Sequence, residues 1–233
     1  MERGIFLVAA LLCPEDLLRS QPMKFKSAML LLFLSVPFLW ASEPVDGSPV
    51  LRSGAVTRVD ERFYENRVDL SYETASLFSV FNESNNYVFL PQIASVRWQL
   101  DEVGNEGWRR GNTEWIFSGY YDPVVEGPEN YFSGALFGPR YNFVQEGWDF
   151  IPYIESRVGI GFTDSGTTMG AQGQDFMFTF AVGTGVRYVV NERLEISLGV
   201  LYQHFSNGGL SEPQRQNNGL DAIGPVVGVN WRF

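Results

Sequence analysis

The feature that most constrains this chain is an alternation. In residues 175–190, DFMFTFAVGTGVRYVV, one parity carries Phe176, Phe178, Phe180, Val182, Val186, Tyr188 and Val190. The other carries Asp175, Thr179, Gly183, Gly185 and Arg187. Side chains two apart share a face only in an extended strand, so the pattern predicts a strand with one apolar face and one polar or small face. Residues 148–162 repeat it: Trp148, Phe150, Ile154, Val158, Ile160 and Phe162 alternate with Asp149, Tyr153, Glu155, Arg157 and Gly159. Residues 193–205 set Leu194, Ile196, Leu198, Val200 and Tyr202 against Glu195, Ser197, Gly199 and Gln203. Residues 222–233 set Ile223, Val227, Val229, Trp231 and Phe233 against Gly224, Gly228, Asn230 and Arg232. Four less regular segments, at about 67–81, 87–100, 113–122 and 131–144, bring the total to about eight.

Strands of about ten residues with aromatic ends and a polar second face predict an all-β fold, an eight-stranded antiparallel transmembrane β-barrel. A soluble sandwich also alternates. Aromatic content of 15% against 19% charged residues favours the membrane. So does the placing of Glu155, Arg157 and Arg187, which suit a small barrel's lumen filled by side chains. Phe176, Phe178, Phe180, Leu198 and Val229 are then expected to face lipid. The chain ends on a strand with Phe233, an ending that resembles the C-terminal signal read by outer-membrane assembly machinery.

The start of the chain reads as an export leader. From Met23, Lys24 and Lys26 precede an apolar run from Ala28 to Trp40 that ends at Ala41. That run is too short for a membrane helix, which needs about 20 residues. We therefore expect residues 1–22 to be an upstream extension, 23–42 a signal peptide, 43–66 an N-terminal extension and 67–233 the barrel in the bacterial outer membrane. Cys13 is the one cysteine and lies in a segment expected to be absent from the mature protein, so disulfides and cysteine metal sites drop out, and a lipoprotein signal ending there is disfavoured by bulky Leu12 before it. A net charge of -10 makes nucleic acid an unsuitable partner.

In such barrels both termini lie in the periplasm, and the longer loops face outward. Residues 163–174 and 207–220 are then outer loops, 191–193 a short periplasmic turn, and 101–112 a long periplasmic turn that departs from the rule. The stretch LYQHFSNGG opens the last outer loop and holds the only histidine. His204 and Ser206 continue the apolar row of their strand, roughly 7 Å apart. Asp221 extends the apolar row of the next strand. All three are expected on the outside of the barrel at the level of the outer leaflet. A serine hydroxyl needs a base to take its proton, and the base needs a carboxylate to fix its orientation. Asn207, Asn217 and the Gly208 amide are nearby donors for an oxyanion. Equally, a lone interfacial histidine is commonly a belt residue, and Asp221 after NNG can close a turn.

HFSNGGLSEP followed by NNGLD resembles the signature of the outer-membrane lipid A 3-O-deacylase family, and GQDFMFTFAVGTGVRY, residues 173–188, looks like it as well. The resemblance covers the barrel and is strongest from about residue 148. It implies that Ser206 is the nucleophile, His204 the general base, Asp221 the orienting acid and Asn217 the oxyanion asparagine. Here the acid is one methylene shorter than the family's usual glutamate, and the loop between Pro213 and Asn217 is slightly longer. The implied activity is serine-esterase removal of the 3-O-linked acyl chain from lipid A, with lipopolysaccharide as substrate, membrane lipid as surroundings and no cofactor or metal. Two other readings stand beside it: a non-enzymatic structural or adhesive barrel, and a phospholipase or acyltransferase at the same membrane face. A homodimer is a further partner that the sequence leaves open.

Overall fold

The computed structural model describes residues 63–81, 86–168, 170, 172–191, 193–215 and 217–232. The expected leader, Cys13 and Phe233 lie outside these residues, as does most of the N-terminal extension. Ten strand segments follow in order: β1 (Val68–Ala75), β2 (Leu77–Val80), β3 (Val88–Phe89), β4 (Gln92–Gln99), β5 (Gly111–Glu126), β6 (Tyr131–Phe143), β7 (Phe150–Thr163), β8 (Phe176–Val189), β9 (Leu194–Ser206) and β10 (Leu220–Arg232). One short helix, α1 (Ser165–Thr168), lies in the β7–β8 loop. Among the described residues no helix is long and apolar enough to cross a membrane, so any crossing is made by strands.

The ten segments make eight spans. β1 and β2 form one span broken at Ser76, and β3 and β4 form another broken at Leu90 and Pro91. Pro91 has no N–H to give to a ladder, so the strand is interrupted there. Its carbonyl still accepts from Ala75 at 3.1 Å, and Ser76 donates to Pro225 at 3.1 Å, so neighbouring spans stay joined across the breaks. All pairing is antiparallel, and β10 pairs back onto β1 with Leu70 opposite Trp231 and Tyr72 opposite Val229. The sheet is therefore a closed eight-stranded barrel without free edges, the arrangement that satisfies every ladder group in a bilayer.

Side-chain parity matches the sequence reading. Phe178, Phe180, Leu198, Phe150, Ile154 and Phe162 stand exposed on the outer wall, and Phe176 and Val229 share their rows. Glu155, Arg157 and Arg187 are buried inside.

The lumen has two storeys. Toward the end of the barrel where β1 starts and β10 ends lies an ionic network. Arg140 meets Glu155 at 2.5 Å and Glu73 at 3.1 Å. Arg157 meets the same two carboxylates at 2.6 and 3.2 Å. Glu114 bonds Arg97 and lies 3.4 Å from Arg187, which is also paired with Glu195. Each charge is taken out of water, a cost offset only because several partners surround it. Toward the opposite rim the interior turns apolar. Phe132 stacks on Phe205 at 4.7 Å between ring centroids, and Phe89 meets Phe205 edge-on at 5.7 Å. Ala75, Leu77, Ile93, Leu136, Met177 and Leu201 fill the space around them.

Candidate active site

The end of β9 alternates with strict parity: His204 out, Phe205 in, Ser206 out, Asn207 in. The two inward residues hold the two outward ones. Phe205 is completely buried in the aromatic cluster, and Asn207 is completely buried under the loops. The Asn207 amide donates to Ser211 Oγ at 2.8 Å and to the Gln172 carbonyl, and its Oδ1 accepts from Gly209 N at 2.8 Å. That is a correction for Asn207. Expected beside the oxyanion, its side chain is fully engaged inside the loops; only its backbone N–H turns toward the site, donating to Asn217 Oδ1 at 3.3 Å.

On the outer face the register brings the other candidates together. Asp221 lies directly opposite His204 across the β9–β10 ladder. Its Oδ1 is 2.7 Å from His204 Nδ1. With Nδ1 carrying a proton toward the carboxylate, Nε2 is left with its lone pair outward. The pair is half-buried, the side chains being 37% and 26% exposed. Tyr202, two residues before His204 on the same row, also donates its hydroxyl to Asp221 Oδ1. The sequence reading counted Tyr202 only as an apolar-row residue.

Ser206 Oγ accepts two hydrogen bonds, from Asn217 Nδ2 at 3.0 Å and from Gly208 N at 3.1 Å. The second is the i to i+2 bond of a turn that a serine side chain closes on its own backbone, and Gly208 continues that turn with φ of 65°, a left-handed conformation that glycine adopts without cost. Among the described residues Ser206 is not hydrogen-bonded to His204 at rest. Gly219 lies against the imidazole, and a Cβ there would stand 3.2 Å from His204 Cε1. On either side the wall is apolar. Phe178 is opposite Ser206 and Phe180 opposite His204 on β8, while Val80 is opposite Asp221 on β2.

The outer loops are tied to one another beside this cluster. Glu129 accepts from Tyr87 at 2.6 Å and from Ser165 at 3.0 Å, Ser165 Oγ accepts from Gln172 N at 3.1 Å, and Gln172 binds Asn207. Arg215 donates to the Gly166 carbonyl at 2.6 Å. Among the described residues no three His, Cys, Asp or Glu side chains gather as metal ligands. The cluster presents a hydroxyl held by two N–H donors, beside a carboxylate-bound imidazole, on a membrane-facing wall.

The model of the lipid A 3-O-deacylase family (PagL) matches residues 92–230. The chain belongs to that family. It is an outer-membrane β-barrel, and membership makes it a lipid A deacylase, a hydrolase. No curated protein matches the chain in a sequence search. Among solved structures, the crystal structure of the outer membrane enzyme PagL is 23% identical and covers 69% of this chain and 97% of its own, with a TM-score of 0.45. The crystal structure of Neisserial surface protein A (NspA) is 13% identical and covers 71% of this chain and 97% of its own, with a TM-score of 0.52. The latter likeness is one of fold: a small outer-membrane barrel.

Proposed function

We propose that this deacylase is a serine esterase that removes the 3-O-linked acyl chain of lipid A, with Ser206 as nucleophile, His204 as general base and Asp221 as orienting acid. The observation that carries the reading is the His204–Asp221 pair on the same outer wall as a serine hydroxyl already gripped by two N–H donors. Polar groups on a lipid-facing wall are costly without a purpose. Here they sit at the rim opposite the start of β1 and the end of β10, where the outer leaflet is expected.

In this mechanism Ser206 Oγ attacks the ester carbonyl carbon while its proton passes to His204 Nε2. The contact of Nδ1 with Asp221 fixes which nitrogen takes that proton. Negative charge collects on the carbonyl oxygen, and Asn217 Nδ2 and Gly208 N–H, which donate to Ser206 Oγ at rest, turn to that oxygen as Oγ bonds to carbon. The tetrahedral adduct collapses, the sugar hydroxyl leaves with the proton from Nε2, and the acyl chain stays on Ser206. Water, deprotonated by His204, then attacks the acyl-enzyme and releases a hydroxy fatty acid. The acyl chain lies along Phe178 and Phe180, so the substrate arrives by lateral diffusion in the leaflet.

The test is mass spectrometry of lipid A from cells with and without the protein. The reading expects loss of one hydroxyacyl chain from the 3-position. Unchanged lipid A, or loss of a chain from another position, contradicts it. A phospholipase would instead change the glycerophospholipids of the same cells.

A further inference from the structure

Building on the serine-esterase reading, we propose that Tyr202 is a positioning residue that holds the Asp221 carboxylate against His204. The phenol and the imidazole share one acceptor: Tyr202 OH and His204 Nδ1 both meet Asp221 Oδ1. A carboxylate oxygen has room for two donors, so the contacts reinforce each other.

The register explains why two are needed. Asp221 is opposite His204, and Tyr202 is opposite Ile223, one step closer to the barrel's middle on the same face. The carboxylate is 26% exposed at the rim, where water competes for it. Aspartate has a short side chain with several accessible rotamers. Held by the imidazole alone, the carboxylate can swing to water whenever His204 moves toward Ser206. Tyr202 reaches diagonally from the apolar side and fixes Oδ1 independently of the histidine. Its ring is half-buried in the outer row and has only two torsions to order, so the anchor costs little entropy.

The opposing view is an interfacial tyrosine whose hydroxyl merely found an acceptor. Tyr202→Phe separates the two, since it deletes one oxygen and keeps the ring. A positioning role lowers kcat roughly tenfold and leaves KM unchanged, because the lost hydrogen bond to a charged group acts on the base rather than on substrate binding. It also predicts non-additivity: in an Asp221→Ala background, Tyr202→Phe has no further effect. A second measurement does not depend on turnover. The chain has one histidine, so the imidazole nitrogen resonances of 15N-labelled protein in micelles belong to His204 alone. The Nδ1–H tautomer should dominate in the unaltered protein and lose share in Tyr202→Phe. Unchanged kcat together with unchanged imidazole spectra overturns the proposal. Additive losses in the double variant overturn it as well. Absence of ester cleavage by the unaltered protein defeats the esterase reading instead, and the tautomer comparison then still decides whether Tyr202 orients the ring.

Discussion

The protein places carboxylates beside nitrogen donors in two regions, and the two are built oppositely. Inside, Glu114 is completely buried among Arg97, Arg140 and Arg187, and it also accepts from Gln99 at 2.5 Å. Outside, Asp221 is a quarter exposed, and among the described residues its side-chain partners, Tyr202 and His204, come from one neighbouring strand. The inner groups neutralise one another and have no path to a substrate. The outer ones stand on the membrane-facing wall, within one strand end of the Ser206 hydroxyl. Opposite charges on several sides of each buried group make the first region a strut, and a partly exposed carboxylate–imidazole pair beside a hydroxyl gives the second the composition of a reactive site.

The sharpest break in the comparison is Ser206→Ala. It should remove ester cleavage by roughly 10⁶-fold, the scale seen when a serine hydrolase loses its nucleophile, while the barrel folds as before. Release of fatty acid from lipid A by purified protein in detergent measures the first, and the heat-dependent gel shift of the barrel the second. His204→Asn should lose about 10³-fold or more in the same assay. Glu114→Ala should behave in the reverse manner. It strands Arg97 in the lumen and should cost about 3–5 kcal/mol in urea unfolding from vesicles, with the kcat of the surviving folded protein unaltered. Equal stability in that variant would mean that the lumen network is not a strut. Asn217→Ala should lower kcat by about 10²-fold, the effect of one oxyanion donor, with little change in KM. The smallest effect belongs to Gly219→Ala. The added methyl presses on His204 Cε1 and should cost roughly tenfold in kcat through a displaced ring.

Much of this division was legible in the sequence, for a geometric reason. A strand fixes alternate side chains to opposite faces, so one well-defined apolar row determines where every other residue of that strand points. That is why Glu155 and Arg187 could be placed inside, and His204 and Ser206 outside. The same rule carried through one more residue places Asn207 inside, where the structure has it; grouping it with the loop donors broke the parity that had just been used. The breaks at Ser76 and at Leu90–Pro91 were less legible, since hydrogen bonds between neighbouring spans conceal them from any one strand's pattern, although Pro91 itself was a signal. The stitching of Glu129, Ser165, Gln172 and Asn207 had no signal, because loops have no period and their partners lie far apart in the chain. Tyr202 was visible as part of the row. What hid its hydrogen bond to Asp221 is that a tyrosine serves an apolar face and a polar partner with the same side chain.

The claim at the centre of this account is that the outer wall, at Ser206, performs covalent chemistry on an acyl ester. The direct test is to quench the protein with acid early in turnover on lipid A, digest it, and weigh the peptide that contains Ser206. The account predicts that this peptide gains the mass of one hydroxyacyl group, that the gain disappears in Ser206→Ala, and that it persists longer in His204→Asn if any forms. Steady release of fatty acid with no acyl group on Ser206 at any time, or undiminished release by Ser206→Ala, would contradict it.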